Sequence, residues 1–256
     1  MIALTSFATG KFIPGQLGLS QSALAHGAGR VSMWGSEDLQ RTQFYRDHRE
    51  ILDVPRGAGY WLWKPFIILT ELERLSDGDY LIYCDSGNPE KPNEISRPLS
   101  QLTEWCHANN GGMLPGVYVP QHGRNTRWIK GECFAVMGCD SDLYRNHPQI
   151  QATFSVWERH ERSLDFVRTW LQWCKVPAAL VDDHIDPSIQ DAPDFVAHRH
   201  DQAVLTLLAL KWGLKCFGSP VEVHWADKKI DRLIDRINGR PAQESFAEAF
   251  PTLAAA

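Results

Sequence analysis

From Pro65 to Leu75 the apolar positions Phe66, Ile67, Leu69, Leu72 and Leu75 recur at helical spacing. Glu71, Glu73 and Arg74 fall between them, which predicts an amphipathic helix with those charges turned to water. Pro65 suits a first helical turn, where its missing N–H has no partner anyway. The Ser76-Asp77-Gly78-Asp79 cluster ends the helix. Tyr80 to Cys84 is then a short apolar run of the kind that is buried on both faces of a parallel sheet. It gives way to Asp85-Ser86-Gly87, so an acid stands where a strand meets a glycine-containing loop. Open α/β folds bind ligands at that carboxyl edge. Asp, Ser and Gly are also ordinary turn residues, so alone they imply a turn as readily as chemistry.

The same alternation runs along the chain. Residues 2–8 read as a first strand carrying Thr5 and Ser6, small side chains that either let a ligand ring lie close to the backbone or simply edge the core. Val31 to Trp34 is a second strand, and Asp38 to Leu52 a mostly structural helix. The Gly27-Ala28-Gly29 run is no dinucleotide fingerprint, because those glycines must follow a strand and open a helix. Ser96 and Pro98 look like the start of a helix ending near His107, and Pro115 to Gln121 holds a short strand. Gln151 to Trp157 alternates like a half-buried strand, and Phe166, Val167, Trp170, Leu171 and Cys174 mark an amphipathic helix. Val176 to Phe195 reads as a loop, with Pro177, Pro187 and Pro193 among Asp182, Asp183, Asp186, Asp191 and Asp194. A loop of that length is either disordered or functional, for instance a lid or an acceptor rim. HRHDQAVLTLLALKWGL then opens an almost wholly apolar helix. Asp201 could simply cap it, although a cap needs no His198, Arg199 and His200 beside it. These elements predict a mixed, mostly parallel α/β sheet with helices on both faces. Residues 1–227 form a single domain in this reading. Residues 228–256 add a C-terminal helix, with Ile230, Leu233, Ile234 and Ile237 on one face, and a flexible tail.

At 256 residues the chain can bury a substantial core without crosslinks. A net charge of -5 gives no general attraction to nucleic acid or anionic lipid, which points to a small or neutral partner. The six cysteines form no CxxC pair and sit mostly in apolar runs, the pattern of buried thiols in a reducing compartment, with cytoplasm the simplest location. No signal peptide is evident and no window approaches the roughly 20 apolar residues of a membrane helix. Contact with a membrane-linked acceptor would be a transient visit to the surface.

Four blocks, YWLWKP at 60–65, GDYLIYCDSG at 78–87, IKGECFAVMGCD at 129–140 and HRHDQAVLTLL at 198–208, resemble nucleotide-sugar-dependent glycosyltransferases of the GT-A (Rossmann-like) fold. Bacterial enzymes that build surface polysaccharides are the particular likeness. The resemblance implies transfer of a sugar from a nucleoside diphosphate, UDP by default, to a glycan or glycolipid hydroxyl. It carries Asp85 into the role of the first carboxylate of an Asp-x-Asp metal motif whose second position is Gly87 here. Mn²⁺ or Mg²⁺ is therefore expected at Asp85, with the diphosphate, water and a late histidine, His224, completing the sphere. Thr5, Ser6, Lys64, Asp85, Ser86, Lys130 and His200 form the implied donor-binding set, with Lys64 and Lys130 as cations that offset the leaving diphosphate. Asp201 and Gln202 match a catalytic Asp-Gln pair. In an inverting enzyme Asp201 would be the general base; in a retaining one, either residue would steady an oxocarbenium-like transition state. Two other readings remain open: a non-catalytic nucleotide-sugar-binding protein, and a zinc hydrolase that uses His198, His200 and Asp183 or Asp201.

Overall fold

The first strand, Ile2–Phe7 (β1), is apolar or small throughout and buried on both sides, so it lies inside a sheet rather than at its edge. In the computed structural model, which describes residues 1–96, 98–118, 122–215 and 217–218, it is flanked by Arg30–Trp34 (β2) and Tyr80–Cys84 (β3), both parallel to it. Met113–Leu114 (β4) and Phe154–Glu158 (β5) complete a sheet of order β2-β1-β3-β5-β4. β5 runs antiparallel to both its neighbours, so β4 points the same way as β1, β2 and β3. The protein is thus mixed α/β with a five-stranded, mostly parallel sheet.

Strand alternation sends successive side chains to opposite faces, and helices cover both. On one face Leu4, Ile82 and Cys84 meet Ile13–Ala25 (α1) and Leu99–Asn110 (α3) through Leu19, Ala23, Leu99 and Leu102. On the other, Phe7, Leu81, Tyr83 and Trp157 meet Trp63–Glu73 (α2), Glu161–Cys174 (α5) and His200–Lys211 (α6). A further short helix, Gly131–Val136 (α4), closes this larger core through Cys133 and Phe134. Among the described residues, no helix is long and apolar enough to cross a membrane.

Several expectations change. Glu71 does not face water: it is 1% exposed and takes bonds from Ser32 Oγ at 2.7 Å, Trp34 Nε1 at 3.1 Å and Arg30 at 3.1 Å, locking α2 to β2. The single helix expected over 38–52 is three short ones, Ser36–Gln40, Gln43–Asp47 and Arg49–Leu52, because Thr42 caps a new start and His48 leaves helical geometry. The acid-rich segment after Val176 opens with a helical turn, Pro177–Leu180, and its loop is held down at many points. The five described cysteines, 84, 106, 133, 139 and 174, are buried thiols. His224, Cys216, Gln121 and the C-terminal helix and tail lie outside the described residues.

Candidate functional site

The carboxyl edge of β3 is where the sequence placed its acid. Asp85 follows Cys84 directly, and its backbone N–H donates to Thr153 O at 2.9 Å, anchoring the turn to the chain that leads into β5. Its carbonyl accepts from Asn93 Nδ2 at 2.6 Å, so the loop folds back beneath it. Tyr83, two residues earlier on the same sheet face, donates its hydroxyl to Asp85 Oδ1.

Lys64 supplies the countercharge. It sits in the first turn of α2, 3% exposed, with Nζ donating to Ala152 O at 2.9 Å, 3.3 Å from Asp85 Oδ1 and 3.7 Å from Asp201 Oδ2. Three oxygens from three separate segments converge on one ammonium, which also lies 5.1 Å from the centre of the Tyr83 ring. Burial alone would lower the Lys64 pKa, but Asp85 and Asp201 outweigh it and the pKa is raised, so the lysine is a fixed cation. Asp201, at the start of α6, has the opposite balance. Burial pushes its carboxyl up to about 7 and the charge on Asp85 adds to this, while Lys64 opposes it. Its Oδ2 is buried with no hydrogen-bond partner among the described residues, Lys64 Nζ lying 3.7 Å away, whereas the side chain of Asp85 is 30% exposed. The site therefore holds one carboxylate open to solvent and one buried acid that titrates near neutrality, bridged by an ammonium.

Lys64 was expected to offset a leaving diphosphate. Its ammonium lies between two internal carboxylates and, in this arrangement, holds Asp85 and Asp201 in place. Gln202 does likewise one residue on: its Oε1 accepts from Ala152 N–H at 3.3 Å, and its Nε2 donates to Gln149, which donates to Asn125. That amide chain fixes Ala152, whose carbonyl holds Lys64.

Thr5 and Ser6 are buried at the same edge of the sheet. Thr5 Oγ1 donates to Ser32 O at 3.3 Å, while Ser6 Oγ lies buried with no partner among the described residues. Ser86 is buried, and its carbonyl would sit 2.9 Å from a Cβ added at Gly15, so α1 packs directly against the loop after Asp85.

Lys130 and His200 are committed elsewhere. Lys130 Nζ donates to Glu132 at 3.0 Å and to Asp183 O at 2.7 Å, and Glu132 accepts the N–H groups of Ile185 and Asp186. Together they staple the acid-rich segment to α4. His200 Nδ1 donates to Leu180 O, and its Nε2 accepts from Arg56 Nε at 2.9 Å. His198 Nε2 donates to Ala179 O, and its Nδ1 accepts from Lys130 N–H. With all four ring nitrogens bonded and burial lowering both pKa values, this pair is a neutral structural element, which removes the basis for a zinc site there.

The chain reaches α2 through an unusual turn. Gly57, Ala58, Gly59, Tyr60 and Trp61 all have positive φ, between 51° and 94°, a conformation unfavourable for residues with a Cβ. It places the rings of Tyr60 and Trp61 at 4.9 and 5.5 Å from that of His200, the residue before Asp201.

Toward the divalent cation expected at Asp85 the described residues offer that one carboxylate, and the expected His224 lies outside them. Gly87 opens a short antiparallel hairpin, Gly87–Asn88 against Lys91–Pro92; it has φ +85°, and a Cβ there would lie 2.6 Å from Asn93 N and 2.9 Å from Lys91 O, so no second acid can stand there without moving backbone. Asp85 already shares its Oδ1 with Lys64 and Tyr83, and among the described residues no group of three or more His, Cys, Asp or Glu side chains is arranged around an ion. Sequence reasoning missed Tyr83, which strand alternation places on the face of Asp85, and Ala152, whose carbonyl leaves no sequence signal. No known family model matches this chain, and no curated protein is significantly similar to it.

Proposed function

We propose that this protein is a glycosyltransferase of GT-A type, moving a sugar from a nucleoside-diphosphate donor, UDP by default, to a hydroxyl of a glycan or glycolipid. The observation that carries the reading is the meeting of Lys64, Asp85 and Asp201, three residues from separate sequence blocks, at the carboxyl edge of a mostly parallel sheet. Sugar transfer needs groups that grip hydroxyls and an acid or base that works near neutral pH. Asp85, part-exposed and held still by Lys64 and Tyr83, is an acceptor for hydroxyls of the ribose or the donor sugar. Asp201, with its Oδ2 3.7 Å from the Lys64 ammonium and its carboxyl pushed up to about 7, is suited to take a proton from the acceptor hydroxyl, directly or through one water. The same carboxylate would steady positive charge at the anomeric carbon in a retaining course. The sheet order, with one reversed strand beside β3, is compatible with that fold.

The binding-protein alternative drew on Gly87 in place of an acid. Gly87 is demanded by its hairpin, so it is no sign of a decayed site. The test is a panel of nucleotide sugars scored by thermal shift and by sugar transfer or donor hydrolysis. At least one nucleotide is expected to stabilise the wild type, with Asp85→Ala abolishing the shift and Asp201→Asn retaining it but losing turnover. A panel without any shift, or unchanged binding in Asp85→Ala, would overturn the assignment.

A further inference from the structure

We infer that Lys64 is the resident cation of this site, standing where a bound metal ion would otherwise bridge two carboxylates, and that Asp85 engages its ligand without recruiting a divalent ion. The surroundings of Nζ carry the inference. Ala152 O, Asp85 Oδ1 and Asp201 Oδ2 lie at 2.9, 3.3 and 3.7 Å from it, an all-oxygen set with two carboxylates of the sort that hard cations select. An ammonium in this cage satisfies the same electrostatic demand, and it is tethered: Lys64 is 3% exposed and its stem leaves α2 between Trp63 and Pro65. A second cation at Asp85 would face that ammonium across a single carboxylate whose Oδ1 is already shared by Lys64 and Tyr83. The conventional second ligand position is barred, because a side chain at Gly87 would meet the backbone of Asn93 and Lys91.

The cage makes an unusual prediction: deleting the ammonium should create a metal site. In Lys64→Ala the two carboxylates and the Ala152 carbonyl remain directed at an emptied point, and Mn²⁺ can replace the lost charge. Free Mn²⁺ measured by its electron paramagnetic resonance signal reads this without any assumption about activity. Wild type is expected to leave the signal undiminished. Lys64→Ala is expected to bind Mn²⁺ and gain thermal stability from it, and Lys64→Ala/Asp85→Ala to lose both effects. Only the second arm, UDP-induced stabilisation of wild type with and without EDTA, rests on the transferase reading, and there no difference is expected. Asp85-dependent Mn²⁺ uptake by wild type, loss of the UDP shift in EDTA, or a folded Lys64→Ala that ignores Mn²⁺ would each overturn the inference. Should Lys64→Ala not fold, the wild-type Mn²⁺ titration and its Asp85→Ala control decide it. Absence of any UDP shift would count against the transferase reading and leave the Mn²⁺ result standing.

Discussion

At the scale of single residues, the proposed chemistry rests on two carboxylates kept different by their surroundings. The Asp201 carboxyl is raised to about 7 by burial, so the folded state holds a proton there that the unfolded chain releases near pH 4. Between about pH 4 and 7 the folded state binds more protons, and stability from this group is lost as pH rises through that window. Burial sets the shift, Lys64 opposes it and Asp85 adds to it, with the buried Cys174 thiol also nearby. Asp201→Asn removes the titration. The unfolding free energy of wild type minus that of Asp201→Asn is expected to fall across the window by up to about 4 kcal/mol. Urea unfolding at pH steps from 4 to 8 measures it, and parallel profiles would refute it. His147, His198 and His200, whose pKa values burial lowers, act in the opposite direction as pH falls, but they are common to both proteins and cancel in the difference. Gly87 supplies a second residue-level expectation. Gly87→Asp restores an Asp-x-Asp spelling yet forces a Cβ against Asn93 N at positive φ. Destabilisation by roughly 2–4 kcal/mol, with no Mn²⁺ binding gained, is the expected outcome in denaturation and resonance measurements.

Among the elements, the turn from Gly57 to Trp61 bears the clearest cost. Left-handed geometry at a residue with a Cβ costs about 1–2 kcal/mol, and Ala58, Tyr60 and Trp61 all adopt it. What holds them is the packing of Tyr60 and Trp61 against His200 and the bond from Trp63 Nε1 to Gly57 O at 2.9 Å. The turn thereby fixes the start of α2, and so Lys64, relative to the start of α6, and so Asp201. Ala58→Gly relieves strain without removing either ring, and should raise the unfolding free energy by about 0.5–1 kcal/mol. A drop in melting temperature for this variant would mean that the backbone there is less strained than its dihedrals imply. The same element shows why part of the site was legible beforehand and part was not. The GAG spacing permits such a turn, and YWLWKP places a lysine in an apolar helix start, an anomaly that reads as functional from sequence alone. That Lys64 would be paired twice does not follow from local spacing, since Asp201 lies 137 residues further on. Lys130 was a second candidate cation of the same kind, but its partners Glu132 and the Asp183 carbonyl give it a structural task.

For the whole molecule, short apolar runs gave β1, β3, α2, α5 and α6 in advance, because their apolar side chains are buried, and β2 too, although only Trp34 of it is buried. α1 was invisible for the converse reason: Gly15 and Gly18 interrupt its stripe, and Ile13, Leu17 and Leu24 are exposed. Glu71 was misjudged because its partners Arg30, Ser32 and Trp34 belong to a strand some forty residues earlier. Such long-range pairings also determine how the chain should unfold. The larger core joins Ala3 of β1 to Leu214 beyond α6, drawing in residues from nearly every element between them. The smaller core shares β1, β3 and β5 with it, since those strands contribute alternate side chains to each face. Neither face can be lost without stripping the other of its sheet, so the full chain should unfold in one cooperative step. The expected result in urea is a single transition at the same midpoint by far-ultraviolet circular dichroism and by fluorescence of the buried Trp157 and Trp170. It should coincide with loss of protection at the Lys64–Asp201 site, read as proteolysis within residues 182–199. Separated midpoints, with the acid-rich segment released first, would show that Lys130 and Glu132 clamp an independently opening flap beside Asp201 rather than part of the folding unit.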